Sequence, residues 1–339
     1  MTAAHGDVPS LLGAWAAGAC PPGEAARVAE HLAECPSCMA ESRALATATA
    51  FLGEPAGPPP PALRDRIMSA ARSRRAPAPD VPDVPAFAAP YAAQVATLDA
   101  LLAELAPADW STTVIYDWTV QDVVAHLAAV DGLLHEQLGD EDPGPVGGEA
   151  DVDARTASAI AYERARTPER TRTAWRSRSG ALCERLAASG ASPERQVRLR
   201  FRAPLDGAFI ARAFETWVHT ADIAAAVGRG VPDPLPRHLH AMADLGVRVL
   251  PVALAIRSGG GAEGAARVVL DGPGGGEWLV PLGGDGADAP PVVTLELGVM
   301  EFCLLAADRR EPGAVRVDIG GDVALGRRLL ESASAFAGP

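Results

Sequence analysis

Ten of the thirty prolines in this 339-residue chain fall between Pro55 and Pro90. No helix interior or central strand accommodates that density, because each proline removes a backbone donor and fixes φ. The stretch GEPAGPPPPALRDRIMSAARSRRAPAPDVPDVPAFAAP therefore reads as an extended, semi-rigid tether, interrupted by one short predicted helix over ALRDRIMSAARSRR. The chain must fold in separate pieces on either side of it. The pattern predicts a small helical module over 1–54, the tether over 55–90, a helical domain over 91–230 and an α+β domain over 231–339. The length independently suggests two or three domains.

Charge narrows the function classes. The net charge is −13, and every basic residue is arginine. Heavy use of Ala, Gly and Pro alongside arginine points to a GC-rich bacterial genome. An acidic chain lacks the surface that neutralises phosphates, so direct nucleic-acid binding is not expected. No uninterrupted apolar run approaches the ~18 residues that span a bilayer, and MTAAHGDVPS has neither the basic start nor the apolar stretch of a signal peptide. Five cysteines, two of them in metal-ligand spacing, suit a reducing cytoplasm better than a disulfide framework.

Helical periodicity is visible in PSLLGAWAAGA, GEAARVAEHLAE and PSCMAESRALATATAFL, then in five segments between Tyr91 and Gly228. One of these, TVQDVVAHLAAVDGLLHEQL, opens with Thr119 as a predicted N-cap and Asp122 at the third helical position. Gly228 suits a C′ position. Four or five helices predict a bundle. After VPDPLPRHLH the period shortens, and ARVVLDG, EWLVPLG, PVVTLEL and AVRVDIGG read as strands. GVMEFCLLAADRR and VALGRRLLESASAF read as helices.

Two constellations carry chemistry. His31, Cys35 and Cys38 bring an imidazole and two thiols to a helix end and the turn after it. That set suits Zn²⁺ in a closed four-ligand site, with His5 or Cys20 as the fourth. A module of about 45 residues needs such a staple, since its core is too small to stabilise it. Glu215 and His219 lie one helical turn apart beside an apolar stripe, and Asp222 continues their line. His126 sits at the edge of the apolar stripe of its own helix. Three nitrogen and oxygen ligands leave a coordination position open, as a catalytic zinc requires. Cys183 and Cys303 lie in apolar helical settings and read as buried, inert thiols.

Residues 5–70 resemble the zinc-binding anti-sigma-factor domain through LLGAWAAGA…GEAARVAEHLAECPSCMAE. That resemblance selects His5 over Cys20 as the fourth zinc ligand and implies a sigma factor as a possible partner. WSTTVIYDWTVQDVVAHLA and FETWVHTADIAAAVGR resemble the two signature segments of the mycothiol-dependent maleylpyruvate isomerase family. They imply that His126, Glu215 and His219 hold a second zinc ion. The resemblance runs over roughly residues 88–337. It implies a fold that is mainly α plus α+β: a small helical zinc finger, a DinB-like four-helix bundle and a sterol-carrier-like C-terminal domain. Mycothiol is the implied cofactor, its thiolate adding to a conjugated double bond in an isomerase or thiol-transferase reaction. Asp222 is expected to orient His219, and Arg309 to meet substrate carboxylates. The other expectation is a cytosolic anti-sigma factor or thiol sensor, with the bundle as its sensing domain.

Overall fold

The computed structural model describes residues 6–50, 83–139, 144, 148–149, 151–283, 290–335 and 337. His5, the tether up to residue 82 with its expected short helix, and most of the acidic loop after residue 139 lie outside the described residues. The chain divides into two compact units, Met1–Ala78 and Pro79–Pro339.

In the first unit, α1 (Val8–Ala16), α2 (Pro22–Glu34) and α3 (Pro36–Ala50) follow one another through short turns. Proline at the start of α2 supplies a helical φ where its missing N–H is not needed. The core is Val8, Leu12, Val28, Leu32, Cys35 and Cys38, with Leu11, Trp15, Met39 and Leu45 packed on it. Two of its six buried members are the clamp cysteines, so metal chemistry and packing share the same atoms.

The second unit begins with five helices: α4 (Ala89–Ala103), α5 (Val120–Gln137), α6 (Val152–Glu163), α7 (Pro168–Ser189) and α8 (Leu205–Ala226). The hairpin of β1 (Thr113–Ile115) and β2 (Trp118–Thr119) leads into α5. Thr119 ends that hairpin and caps α5: its side chain accepts from the Asp122 N–H, and the Asp122 side chain accepts from the Thr119 N–H. This is the expected reciprocal cap. A second hairpin, β3 (Gln196–Arg198) with β4 (Arg202–Pro204), precedes α8. Almost every residue of α5 from Val120 to His135 is buried, which makes it the central helix. Tyr91 of α4 meets Phe209 of α8 edge to face, with ring centroids 5.6 Å apart. Gly228 follows α8 at φ 66°, as a C′ glycine does.

One element departs from the sequence reading. The strand-like period was expected directly after VPDPLPRHLH, but the residues there form α9 (Pro236–Ser258), a helix that contains Pro251. Pro236 starts it, and a buried face of Leu239, Met242, Ala243, Val247, Leu250 and Leu254 holds it in place. Burial of that face outweighs the interior proline and the glycine at 246. By length and composition, α9 and the helical segment Ala86–Ala103 are each sufficient to cross a membrane, although no unbroken apolar run is. Parts of both helices are packed into the protein core.

A four-stranded sheet follows, in the order β6–β5–β7–β8, from β5 (Ala265–Asp271), β6 (Gly276–Pro281), β7 (Pro291–Gly298) and β8 (Val317–Gly321). β5 and β7 are parallel, and the outer pairs are antiparallel. α10 (Val299–Ala306) and α11 (Val323–Ser332) complete the chain. Leu127 and Trp217 of the helical part share one hydrophobic cluster with Val268, Leu295 and Phe302 of the α+β part.

Candidate metal centre

Two groups of metal-ligating side chains converge among the described residues: His31 with Cys35 and Cys38, and His126 with Glu215 and His219. In each group the donor atoms lie within 4.8 Å of one another.

In the first unit, His31 lies in the last turn of α2, Cys35 caps that helix, and Cys38 lies in the first turn of α3. The Cys35 N–H donates to the His31 carbonyl at 2.9 Å, which closes the turn between them. The Cys35 and Ser37 side chains are 3.1 Å apart. The Ser37 hydroxyl and the Cys38 backbone N–H bring the Cys35 thiol down to about 6, towards the thiolate a metal needs. Burial and the neighbouring Cys35 push Cys38 up. Cys20 lies apart from the group, its sulfur 3.7 Å from the Leu11 carbonyl oxygen.

In the second unit, α5 contributes His126 and α8 contributes Glu215 and His219. Both imidazoles are 2% exposed. His126 Nε2 and Glu215 Oε1 are 2.6 Å apart, and the two imidazole centroids are 5.4 Å apart at 84°. Each ring is held from behind. His126 Nδ1 faces Thr156 Oγ1 of α6 at 3.1 Å, and His219 Nδ1 faces Asp222 Oδ2 at 3.2 Å. Anchoring Nδ1 in this way leaves Nε2 as the donor atom on both rings.

Arg212 lies fully buried one turn before Glu215 and donates to Glu215 Oε2. It also donates from Nε to Asp131 Oδ1 at 2.9 Å and from Nη2 to the Leu127 carbonyl at 3.2 Å. Asp131 in turn accepts from the Tyr91 hydroxyl at 2.8 Å and the Ser179 hydroxyl at 3.4 Å. Burial alone would raise the Glu215 carboxyl. The Arg212 guanidinium and the His126 hydrogen bond outweigh it and hold the group well below the ordinary carboxylate range. Burial lowers His126 despite the pull of Glu215, so its ring tends to the neutral form that ligates metals.

Arg309 comes from the turn after α10, next to Asp308, which adopts φ 59°. Its Nε and Nη2 donate to Asp222 at 2.9 and 2.8 Å, and Nη1 donates to the Ala307 carbonyl at 2.8 Å. The structure thus pairs Arg309, the residue expected to meet substrate carboxylates, with the carboxylate of Asp222. Burial would raise Asp222, but His219 and Arg309 hold it below its ordinary value. Cys183 and Cys303 stand apart from both groups. Burial pushes each thiol up to about 12, which leaves it protonated and inert.

Beside His126 lies a half-open cleft of about 320 Å³ lined by Asp117, Trp118, Asp153, Thr156, Ile160 and Arg164. Trp118 packs over His126 with centroids 5.1 Å apart, so two cleft residues touch that imidazole. Sequence reasoning missed Trp118, Thr156, Asp131, Tyr91 and Arg212. Only Arg212 had a local signal, its place one turn ahead of Glu215.

The fold and these geometries define a class: a helical protein with a candidate His/Glu/His centre, joined to a small module with a candidate His/Cys/Cys clamp. Residues 91–224 match the family described as Mycothiol maleylpyruvate isomerase N-terminal domain, and residues 10–39 match the one described as "Putative zinc-finger". The chain belongs to the mycothiol maleylpyruvate isomerase N-terminal domain family and carries a zinc-finger domain ahead of that domain. Uncharacterized proteins from two strains of Mycobacterium tuberculosis are 32% identical over 265 residues, which span 75% of this chain and 96% of theirs. Crystal structures of the mycothiol-dependent maleylpyruvate isomerase and of a mutant of it are similar at 19% and 16% identity. Their TM-scores are 0.45 and 0.47, over 68% of this chain and 91% of each of theirs.

Proposed function

We propose that this is a cytoplasmic, zinc-dependent isomerase or thiol transferase that uses mycothiol, with a structural zinc finger serving as an interaction module. One observation carries the reading: His126, Glu215 and His219 converge, and the rear nitrogen of each imidazole is already engaged. Two neutral nitrogens and one carboxylate oxygen suit zinc and leave room for a further ligand. Zinc bound there would supply the charge that keeps a coordinated thiol deprotonated at neutral pH. Thr156 and Asp222 fix the two rings, Arg212 holds Glu215 ionised, and Trp118 shields one side of His126 from water. On this reading 91–230 is a DinB-like bundle and 231–339 a sterol-carrier-like domain. Residues 1–54 form the finger, with His5 completing the clamp of His31, Cys35 and Cys38. Arg309 would serve a substrate carboxylate only by leaving Asp222.

The first test is calorimetric titration of mycothiol into the zinc-loaded full chain, with His219→Ala as control. Binding that the control loses supports the reading; no binding with zinc confirmed present would overturn it. Turnover that survives Glu215→Ala would also count against the site. A second reading, an anti-sigma factor with the bundle as thiol sensor, draws on the clamp geometry of the first unit. It predicts that a sigma factor co-purifies with the wild-type chain and is released by Cys35→Ser. Failure of any sigma factor to co-purify would sink it.

A further inference from the structure

The two oxygens of Glu215 have different neighbours. Oε1 faces His126 Nε2, and Oε2 accepts from Arg212. Arg212 cannot readily swing away. It is fully buried, and its other nitrogens are tied to Asp131 and to the Leu127 carbonyl of α5. Asp131 is itself 1% exposed and fixed by Tyr91 of α4 and Ser179 of α7. The guanidinium is therefore anchored directly to α5, and through Asp131 to α4 and α7, and offers a fixed donor to one carboxylate oxygen.

We infer that Arg212 is a positioning residue that makes Glu215 a one-oxygen ligand, keeping Oε2 on the guanidinium so that only Oε1 faces a bound ion. The inference rests on reading His126, Glu215 and His219 as a metal site. A carboxylate free of Arg212 could turn both oxygens to the ion and fill the position the proposed thiol needs. Charge has the same consequence. Glu215 and Asp131 carry two negative charges and Arg212 one positive, so a divalent ion meets a single net negative charge from this group. A hydrogen bond to guanidinium also draws density from the carboxylate and weakens it as a donor. Arg212 would thus exchange metal affinity for an open position and a more acidic ion.

The test is cobalt(II) substitution in the full chain. The visible spectrum of the His219→Ala variant is subtracted to remove any contribution of the finger. Removing Arg212 alone would strand Asp131, so the informative variant is Arg212→Met with Asp131→Asn, which empties the buried network of both charges. The expected result is a severalfold fall in visible absorption, because four-coordinate cobalt absorbs far more strongly than five-coordinate cobalt. Cobalt affinity should also tighten, through the second carboxylate oxygen and not through charge, because losing Arg212 and Asp131 together leaves Glu215 as the single negative charge of the group. Arg212→Lys, which keeps a cation behind Glu215, should retain the wild-type spectrum and gives a reading even if the double variant fails to fold. A folded double variant with unchanged spectrum and affinity would overturn the inference alone, as would an Arg212→Lys spectrum shifted towards five-coordination. A wild-type chain with no His219-dependent cobalt signal would overturn the metal reading, and the inference with it.

Discussion

Replacing Asp222 by asparagine should separate two tasks that one carboxylate performs. Asp222 accepts from His219 Nδ1 at 3.2 Å and from Arg309 at 2.8 and 2.9 Å. Asparagine keeps the shape and one acceptor oxygen but removes the charge. On the His219 side, loss of an orienting carboxylate costs about 10- to 100-fold in metal affinity, or roughly 1.4–2.7 kcal/mol. On the other side, Arg309 and Asp222 are 18% and 14% exposed, between a surface pair and a buried one. Removing the charge there should destabilise the metal-free protein by about 1–2 kcal/mol, a fall in Tm of roughly 2–8 °C for a unit of this size. Zinc affinity is read by competition with a chromophoric chelator, and stability by thermal melting of the chelated chain. A variant that melts lower yet binds zinc within twofold of wild type would refute the reasoning. Asp222 would then serve only to tie Arg309 to α8.

Other outcomes follow from the same geometry. Thr156→Val removes the hydroxyl behind His126 and should weaken zinc binding about tenfold, with His126 changing tautomer preference in nitrogen-detected NMR. Cys35→Ser should drop the zinc content of the purified chain from two ions to one, as counted by mass spectrometry. The remaining ion should vanish only when His219 is also replaced. Asp122 is held below its ordinary value: burial would raise it, but Arg164 and Thr119 lower it further. A depressed carboxylate stabilises the fold above its unfolded value and loses that contribution as pH falls through its folded value. Asp122→Asn should therefore cost up to about 1 kcal/mol at neutral pH, and the gap to wild type in urea unfolding should close as pH falls below the ordinary aspartate value.

The donors that converge were legible only in part through short spacing, since His126 lies 89 positions before Glu215 and was joined to it by its helix stripe and the family resemblance. His31, Cys35 and Cys38 lie within one helix end and turn, and Glu215 and His219 share one helix face. Thr119 with Asp122 was legible for the same reason, since a cap is a contact over three residues. What could not be read was the support. Tyr91, Asp131 and Arg212 meet across three helices, and neither local periodicity nor spacing links them. Thr156 and Trp118 reach His126 from different elements. Among the larger elements, α9 was hidden by Pro251 and by the proline-rich approach to residue 236. A helix with an interior proline is sustained by tertiary burial, which a local pattern does not display. The strands β5 to β8 were visible through their alternation, but their order was not. Pairing β5 in parallel with β7 depends on contacts made only in the folded domain.

The origin of Arg309 bears on the order of events during synthesis. His126, Glu215 and His219 have all left the ribosome before the sheet domain begins to emerge, and domains commonly fold as they emerge. The residue that clamps Asp222 comes 87 positions after it. A nascent chain can therefore assemble its donors early, but the orientation of His219 is secured only when the turn after α10 closes on α8. If His126, Glu215 and His219 hold zinc, chains halted in that interval would contain all three donors and yet release the ion faster than the finished protein.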